Sequence, residues 1–342
     1  MDLECNPICL FVGSGDLVVN LIESTFIRFL ARSLLSLGIG IFLHGLPAAN
    51  ATPSPEPVRQ ETRWTMIDVS PLETQADCHL IQFPDGRNVL IDIADAADAG
   101  SVAIPFLKSH NVTALDLVVI SHFHKDHYGR LKDLIEAGIK VGRVAGNMPA
   151  PDASGCDAEM PWGFDRAHAE ATLQFLREHK IPYFRPKAGD RLLEVPLDDG
   201  QVVTLDVVCL YDGANTPVGK TDTNDTSIIV KLSHGTTRAL FTGDLNNALG
   251  TWLAHGPFDV TADLLKVPHH GTEGVAPNEF FARVNPKAAL VPSPRTLWLS
   301  DRSKRIRNYF ADQKIPTYVS GINGNVTVIM TTQGFTIQAE HP

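Results

Sequence analysis

The sequence predicts a mixed α/β fold in which β-sheets pack together and helices cover them. Two observations support this prediction. Short apolar or alternating runs typical of strands recur along most of the chain, with helical periodicity between some of them. The chain has 342 residues, of which 44% are hydrophobic, so it can bury a sizeable core. The simplest organisation is one large domain, which we place at residues 64–342.

The predicted elements begin with a β-meander of three strand-like runs, at residues 64–69, 78–83 and 88–93. Residues 84–86, Pro-Asp-Gly, are typical of a hairpin turn. Further strands are predicted at 115–120, 141–145, 202–210, 227–233, 238–242, 263–267, 287–292 and 325–332. Helices are predicted at 100–109, 128–137, 165–180, 277–284 and 301–313. Asp301 is expected to cap the last helix at its N-terminus.

Four residues of the types that bind metals are concentrated in residues 121–128, Ser-His-Phe-His-Lys-Asp-His-Tyr, directly after an apolar run. They are His122, His124, Asp126 and His127. Imidazoles this close would repel one another when protonated, unless a divalent cation keeps them deprotonated. Imidazole with carboxylate suits zinc, iron, manganese or nickel better than magnesium or calcium. The alternative is a polar surface turn after a strand.

Two more apolar runs end in residues of the same kind. Residues 239–244, Ala-Leu-Phe-Thr-Gly-Asp, end at Asp244, and residues 264–272, Leu-Leu-Lys-Val-Pro-His-His-Gly-Thr, contain His269 and His270. A rigid sheet can aim side chains from several strand ends at one point. We therefore expect the three runs to form one site.

With these motifs the sequence resembles the metallo-β-lactamase superfamily, and residues 122–127 match its His-x-His-x-Asp-His motif in full. Residues 224–230, 241–244 and 266–272 resemble the branch represented by the extracellular domain of the competence protein ComEC. The resemblance covers residues 64–330. It implies a four-layer αββα sandwich, in which two sheets pack face to face with helices outside.

The resemblance also implies a site for one or two zinc ions, with manganese or iron as alternatives. His122 and His124 would bind the first metal, and Asp126 and His127 the second. Asp244 would bridge both metals.

Further candidates complete the implied site. Either His269 or His270 would bind the second metal; we favour His270 as the ligand and place His269 near the substrate, in catalysis with Asp126, or behind a metal ligand that it would support. Many superfamily members have a third histidine for the first metal. This chain has an Asn-Asp pair there, so Asp225 is the candidate ligand, unless the pair forms an ordinary turn. Asp92 would support the site, or be an exposed carboxylate at a strand end.

The reaction class implied by this resemblance is hydrolysis by a metal-bound hydroxide. The fold alone does not choose among phosphodiesters, lactams, lactones and thioesters. The leading expectation is an exported phosphodiesterase or nuclease, acting on a small-molecule or nucleic-acid diester. The alternatives are a hydrolase of a carbonyl substrate such as a β-lactam or lactone, and a metal-binding envelope protein without turnover.

Charge bears on the choice of substrate. The formal net charge of −10 disfavours tight nonspecific binding of a polyanion, because such binding depends on Lys and Arg. Lys266 and Arg295 could recognise an anionic group, although Lys266 could instead face solvent. Around Arg295 the chain lacks a Gly-His-Pro segment that competence-type relatives carry, which weakens the nuclease interpretation.

Residues 1–51 resemble a secretory leader. Arg28 and Arg32 precede an apolar run at 33–43, and Ala-Asn-Ala at 49–51 follows, so we expect signal-peptide cleavage after Ala51. Residues 52–63 would form a flexible mature N-terminus. This predicts a periplasmic or secreted protein, with no stable membrane span in the mature form and no protein partner. An uncleaved membrane anchor is the alternative.

Three cysteines remain after the leader: Cys78, Cys156 and Cys209. An odd number in an oxidising compartment permits one disulfide and one free thiol, and the sequence does not choose the pair. Cys209 lies in an alternating apolar run and is expected in the core.

Overall fold

Seventeen strands form the framework of the part of the chain that the computed structural model describes, residues 60–69, 75–95, 100–149, 164–211 and 222–342. The predicted leader at 1–51 lies outside these residues. The strands are β1 (Thr62–Met66), β2 (Cys78–Gln82), β3 (Asn88–Ile93), β4 (Ala114–Leu115), β5 (Leu117–Val119), β6 (Lys140–Val141), β7 (Val144–Ala145), β8 (Tyr183–Phe184), β9 (Arg191–Pro196), β10 (Val202–Cys209), β11 (Ile229–His234), β12 (Thr237–Phe241), β13 (Leu264–Lys266), β14 (Ala288–Val291), β15 (Thr317–Val319), β16 (Val326–Thr331) and β17 (Gly334–Ala339).

Nine α-helices are interspersed with these strands in the described residues. They are α1 (Gly100–Ser109), α2 (Lys125–Tyr128), α3 (Leu131–Glu136), α4 (Arg166–Glu178), α5 (Asn247–His255), α6 (Asn278–Val284), α7 (Arg295–Leu299), α8 (Lys304–Asp312) and α9 (Ser320–Asn323). Short 3₁₀ turns occupy Thr223–Thr226, Pro268–Gly271 and Asp301–Ser303. No helix in the described ranges combines the length and apolar character needed to cross a membrane.

The strands form two large sheets. The first has eight strands in the order β17-β16-β1-β2-β3-β5-β7-β8, and the second has seven in the order β15-β14-β13-β12-β11-β10-β9. A separate two-stranded sheet joins β4 to β6. Strands β3, β5, β7 and β8 run parallel, as do β12 to β15 and the pair β4 and β6, while the other pairs are antiparallel.

Three clusters of buried side chains show that the layers are α, β, β and α. Alternating strand residues such as Trp64, Leu205 and Phe241 form the middle cluster between the sheets. A second cluster joins the outer face of the first sheet to α1, α3 and α4, and a third joins the second sheet to α5, α6 and α8. The predicted αββα sandwich is confirmed.

The predicted hairpin turn and most predicted elements are present, with differences at their ends. The Gly86 N–H donates to the Phe83 carbonyl at 3.0 Å, which closes the turn between β2 and β3. The helix predicted at 128–137 is two short helices, α2 and α3. The prediction of Asp301 as a helix cap is wrong: the Ser300 hydroxyl accepts the Arg302 N–H at 3.2 Å, and α8 begins three residues after Asp301.

Two of the three cysteines lie in the described residues. Cys78 and Cys209 are both buried, and the third, Cys156, lies outside the described ranges. Cys209 packs in the cluster beneath the outer helices of the second sheet, as its alternating run predicts. Burial raises the pKa of the Cys78 thiol, with further raising by Asp92 and Asp77, so this cysteine is an inert core residue.

Candidate metal centre

The candidate ligands follow strands of both sheets where the two sheets meet. In the first sheet the chain leaves β5, passes through His122 and His124, and enters α2. In the second sheet Asp244 follows β12, and His270 lies in the 3₁₀ turn after β13. The Ile228 N–H, just before β11, donates to the Ser121 carbonyl at 2.8 Å and ties the sheets together at this point. The carboxyl ends of parallel strands thus deliver the site.

Four of the predicted ligands converge on one point. One ligand atom from each of Asp126, His127, Asp244 and His270 lies within 4.8 Å of the others. The Asp244 Oδ2 lies 3.3 Å from the Nε2 atoms of both His127 and His270. The Asp126 Oδ2 lies 3.3 Å from the His270 Nε2. This is the set that the resemblance implies for the second metal.

Asp92 fixes the orientation of His127. Its Oδ2 accepts from the His127 Nδ1 at 2.8 Å, and its two oxygens also accept from the Ser121 N–H and hydroxyl, each at 2.7 Å. Asp92 is fully buried and adopts a left-handed φ of 60° in β3, next to an irregularity in the β2–β3 pairing. The hydrogen bond from His127 is thus a direct contact through which Asp92 can support the site, and the Asp92 side chain is not exposed.

His270 is oriented in the same way by a backbone group. Its Nδ1 donates to the Pro292 carbonyl at 2.9 Å, and its φ of 50° turns the chain sharply within the 3₁₀ turn. The Nε2 atoms of His127 and His270 are buried, and neither has a hydrogen-bond partner among the described residues. Each ring thus points one unused nitrogen at the Asp126 and Asp244 carboxylates.

The charges of the cluster call for a cation at this point. Burial lowers the pKa of His127, but the Asp244 and Asp126 carboxylates outweigh burial and hold that pKa well above its usual range. His270 behaves alike: burial lowers its pKa, and Asp244 and Asp77 more than compensate. A divalent metal ion would balance the carboxylates as the protonated imidazoles do, and the two Nε2 atoms that have no hydrogen-bond partner could coordinate it. The residues present therefore fit a metal of the zinc type.

His122 and His124 lie beside this cluster and form a second group of donors. The His122 Nε2 is 3.1 Å from the His124 Nδ1, and the Asn224 Oδ1 is 2.9 Å from the same Nδ1. The His122 and His127 rings are 4.1 Å apart between centroids. Burial lowers the pKa of His122 well below its usual range, with His127 lowering it further, so His122 is neutral and able to donate a lone pair to a metal.

His269 lies at the rim, partly buried, with its ring centroid 6.3 Å from that of His270. Its Nδ1 is 2.8 Å from the Asn246 Oδ1. It is not part of the four-residue cluster. His270 is thus the histidine of this pair that lies in the cluster, and the place of His269 near a substrate stays a prediction.

Asp225 is close in sequence to Asn224 but is not brought to the cluster. Its Oδ1 accepts the Asn246 N–H at 3.1 Å, at the start of α5. Burial, together with the neighbouring Asp222, raises the pKa of Asp225 to about 7. The carboxylate thus serves the backbone at a helix start, where an N–H group favours an acceptor.

Lys266 does not face solvent, and its buried ammonium is paired with a carboxylate of the protein. It is 1% exposed, forms an ion pair with Asp77, donates to the Gly243 carbonyl at 2.7 Å, and lies 3.5 Å from Asp244. A strand-end lysine that reaches inward can pair with a carboxylate from the opposite sheet. Arg295, the other candidate, is exposed at the start of α7.

Asp77 is the site residue that sequence reasoning missed. It precedes β2, is fully buried, and lies 3.2 Å from the His270 Nδ1 through its Oδ1. Burial alone would raise the pKa of Asp77, but Lys266 and His270 hold it well below its usual range. The only available signal was an acidic residue directly before an apolar strand, which is common at strand ends.

Comparison with known proteins agrees with this geometry. Residues 72–293 match the model of the metallo-beta-lactamase superfamily, and the chain belongs to this superfamily. Together, the family and the His/Asp cluster define a hydrolase that depends on a bound metal.

Within the family, the chain is similar to ComE operon protein 3 of Bacillus subtilis, with 27% identity over 238 residues, 69% of this chain and 26% of that protein. The chain thus spans about a quarter of that relative's length. It is also similar to endoribonuclease ysh1 of Aspergillus fumigatus, 34% identical over 73 residues, 21% of this chain and 8% of the relative. Among solved structures, Igni18, a metallo hydrolase from Ignicoccus hospitalis, aligns with a TM-score of 0.41 and 12% identity, over 81% of this chain and 98% of that one.

Proposed function

We propose that the chain is an exported phosphodiesterase with a zinc centre of one or two ions. The observation that carries the proposal is the convergence of two unused imidazole nitrogens and two carboxylates on one point. The substrate class is supported by the similarity to ComE operon protein 3 and to an endoribonuclease. Export is supported by the leader-like sequence of residues 1–51.

The second metal would be held by Asp126, His127, Asp244 and His270, and the first by His122 and His124 with Asp244 shared between them. When bound, such cations lower the pKa of water and neutralise negative charge that develops on a phosphate oxygen. The protein contributes the orientation of the ligands, because Asp92 and the Pro292 carbonyl each hold one imidazole by its Nδ1.

Asp126 is placed to handle a proton at the open side of the cluster. Its side chain is 17% exposed, whereas those of His127 and His270 are fully buried. The Gln75 amide donates to its Oδ2 at 3.4 Å, while its Oδ1 makes a longer contact, 3.8 Å from the His127 Nε2, and is the oxygen we assign to accept a proton from the attacking water. A general base must lie within hydrogen-bond reach of the proton that it removes, and the partly exposed Asp126 carboxylate can be reached by water.

His269 is the residue for the leaving group. Its Nδ1 is engaged by Asn246, and its ring lies beside the cluster, partly open to solvent. With both ring nitrogens protonated, His269 would donate its Nε2 proton to the departing oxygen of the diester, while Asp244 would serve as a metal ligand. The acidic net charge of −10 favours a small or locally bound diester over tight binding of a long polyanion.

Substrate comparison tests the proposal. The purified chain, loaded with zinc or manganese, is assayed on bis(p-nitrophenyl) phosphate, single-stranded DNA, RNA and a chromogenic β-lactam. The test variant is Asp126→Asn, and the matched control is Asp301→Asn, the same substitution at a side chain that is 97% exposed. We expect diester turnover in the wild type and control, and roughly 100-fold less in Asp126→Asn.

Each alternative gives its own result in this assay. Turnover of the β-lactam alone, lost in Asp126→Asn, would establish a hydrolase of a carbonyl substrate instead. Bound metal by elemental analysis without turnover of any substrate would favour a metal-binding envelope protein.

A further inference from the structure

The Asn246 side chain has a defined orientation because of its neighbour Asp222. The Asn246 Nδ2 lies 2.9 Å and 3.2 Å from the two carboxylate oxygens of Asp222. A carboxylate only accepts hydrogen bonds, so the amide nitrogen must face Asp222 and the amide oxygen must face away. That oxygen is the atom 2.8 Å from the His269 Nδ1.

This orientation determines which nitrogen of His269 carries the proton. Because the Asn246 Oδ1 is an acceptor, the His269 Nδ1 must donate to it. A neutral His269 then has its proton on Nδ1 and a lone pair on Nε2. The Nε2 makes no hydrogen bond with any residue in the described ranges, and so remains available at the rim of the site.

Asn246 is used for this contact and not for its own helix. It is the residue before α5, but its side chain makes no capping hydrogen bond to that helix. At this helix start the Asp225 carboxylate accepts a hydrogen bond from the Asn246 backbone N–H. The side-chain amide is thereby left free to bridge Asp222 and His269.

The same carboxylate orients a second amide. The Asp222 Oδ1 accepts the Asn224 backbone N–H at 3.0 Å, and its Oδ2 lies 3.4 Å from the Asn224 Nδ2. The Asn224 oxygen therefore points the other way, to within 2.9 Å of the His124 Nδ1. One acidic side chain thus sets two amides, and each amide contacts a histidine of the site.

We propose that Asp222 is a positioning residue that orients Asn246 and Asn224, and through them His269 and His124. We call these residues the Asp222 network. Its catalytic meaning rests on the proposed function, because His269 can handle a proton for a leaving oxygen only if Nε2 faces the substrate in one defined protonation pattern. Asp222 itself is not part of the four-residue cluster.

The experiment reads the His269 tautomer directly. The full-length, zinc-loaded chain is labelled with ¹⁵N-histidine, and long-range proton–nitrogen NMR spectra distinguish protonated Nδ1 from protonated Nε2. A His269→Gln variant assigns the signals. Asn246→Leu is the test variant, and Asn247→Leu is the matched control at the adjacent, exposed position. Asp222→Ala tests the anchor itself.

We expect protonated Nδ1 in the wild type and in Asn247→Leu, and loss of that pattern in Asn246→Leu and Asp222→Ala. The kcat for bis(p-nitrophenyl) phosphate should fall roughly 10- to 100-fold in both test variants with a smaller change in KM. A neutral wild-type His269 with its proton on Nε2 and none on Nδ1, or an unchanged tautomer in Asn246→Leu, would overturn the proposal. If Asp222→Ala fails to fold, Asn246→Leu still decides. A wild-type tautomer as expected without any diester turnover would support the network and contradict the proposed phosphodiesterase.

Discussion

Replacing Lys266 with Met should strongly destabilise the protein, although the two side chains have similar length. The Lys266 ammonium is buried between Asp77, whose side chain is fully buried, and Asp244. Bound metal can compensate Asp244, but Asp77 would keep a buried charge with only imidazole nitrogens nearby, that of His270 at 3.2 Å and those of His79 and His127 at 3.8 Å. Breaking one partner from a buried ion pair costs about 3–5 kcal/mol. That is a large share of the roughly 5–15 kcal/mol by which a typical protein is stable.

Urea unfolding of the zinc-loaded chain measures this effect. Lys287→Met is the matched control: its amine is 2.8 Å from Asp263, but its side chain is 69% exposed, so it should change the free energy of unfolding by less than about 1 kcal/mol. The double variant Lys266→Met with Asp77→Asn removes both charges and should be more stable than Lys266→Met alone. A Lys266→Met variant within about 1 kcal/mol of the wild type would refute the buried-pair argument.

Other predictions concern the metal and the leader. Asp244→Ala should disturb both metals and His270→Ala chiefly the second, as elemental analysis would show; full metal content and activity in Asp244→Ala would contradict the bridging role. In the metal-free protein the raised pKa values of His127 and His270 mean that both rings are positively charged at neutral pH, with a proton on each nitrogen. Zinc must displace one proton from each ring, so zinc affinity should rise with pH. Calorimetry in two buffers of different ionisation enthalpy checks this, and a pH-independent affinity would contradict it. Cleavage after Ala51 predicts the intact mass of the exported chain, and a secreted species that retains residues 28–51 would count against it.

The layered fold followed from strand and helix periodicity with the family resemblance, but some elements gave no signal. Helix α5 was not predicted, because its sequence Asn-Ala-Leu-Gly-Thr-Trp-Leu-Ala-His includes a glycine and a β-branched residue that disfavour helices. Its place is set by packing: a Cβ at Gly250 would lie 2.7 Å from the Ala276 side chain, so the helix approaches that segment closely. Tertiary contact overrode local propensity here.

Some residues of the site can likewise be predicted from the sequence, and others cannot. His122, His124, Asp126 and His127 stand out because few structural needs call for that residue pattern. Asp77 and Lys266 do not, because their pairing joins β2 of one sheet to β13 of the other and exists only after the sheets have packed. Gly243 is similar: its φ of 49° and the proximity of Ser227 and Ser121 leave no room for a side chain, which only the fold reveals.

The ligand cluster draws on both sheets, with Asp126 and His127 after β5 and with Asp244 and His270 after β12 and β13. A cation bound there would cross-link the two sheets of the sandwich, since separating the sheets would break its coordination. Its binding free energy would then add to the stability of the fold, by about 4 kcal/mol when free metal exceeds the dissociation constant a thousandfold. The melting temperature of the chain would rise and fall with the zinc supply of its surroundings, and metal starvation would shorten its lifetime before any substrate was involved.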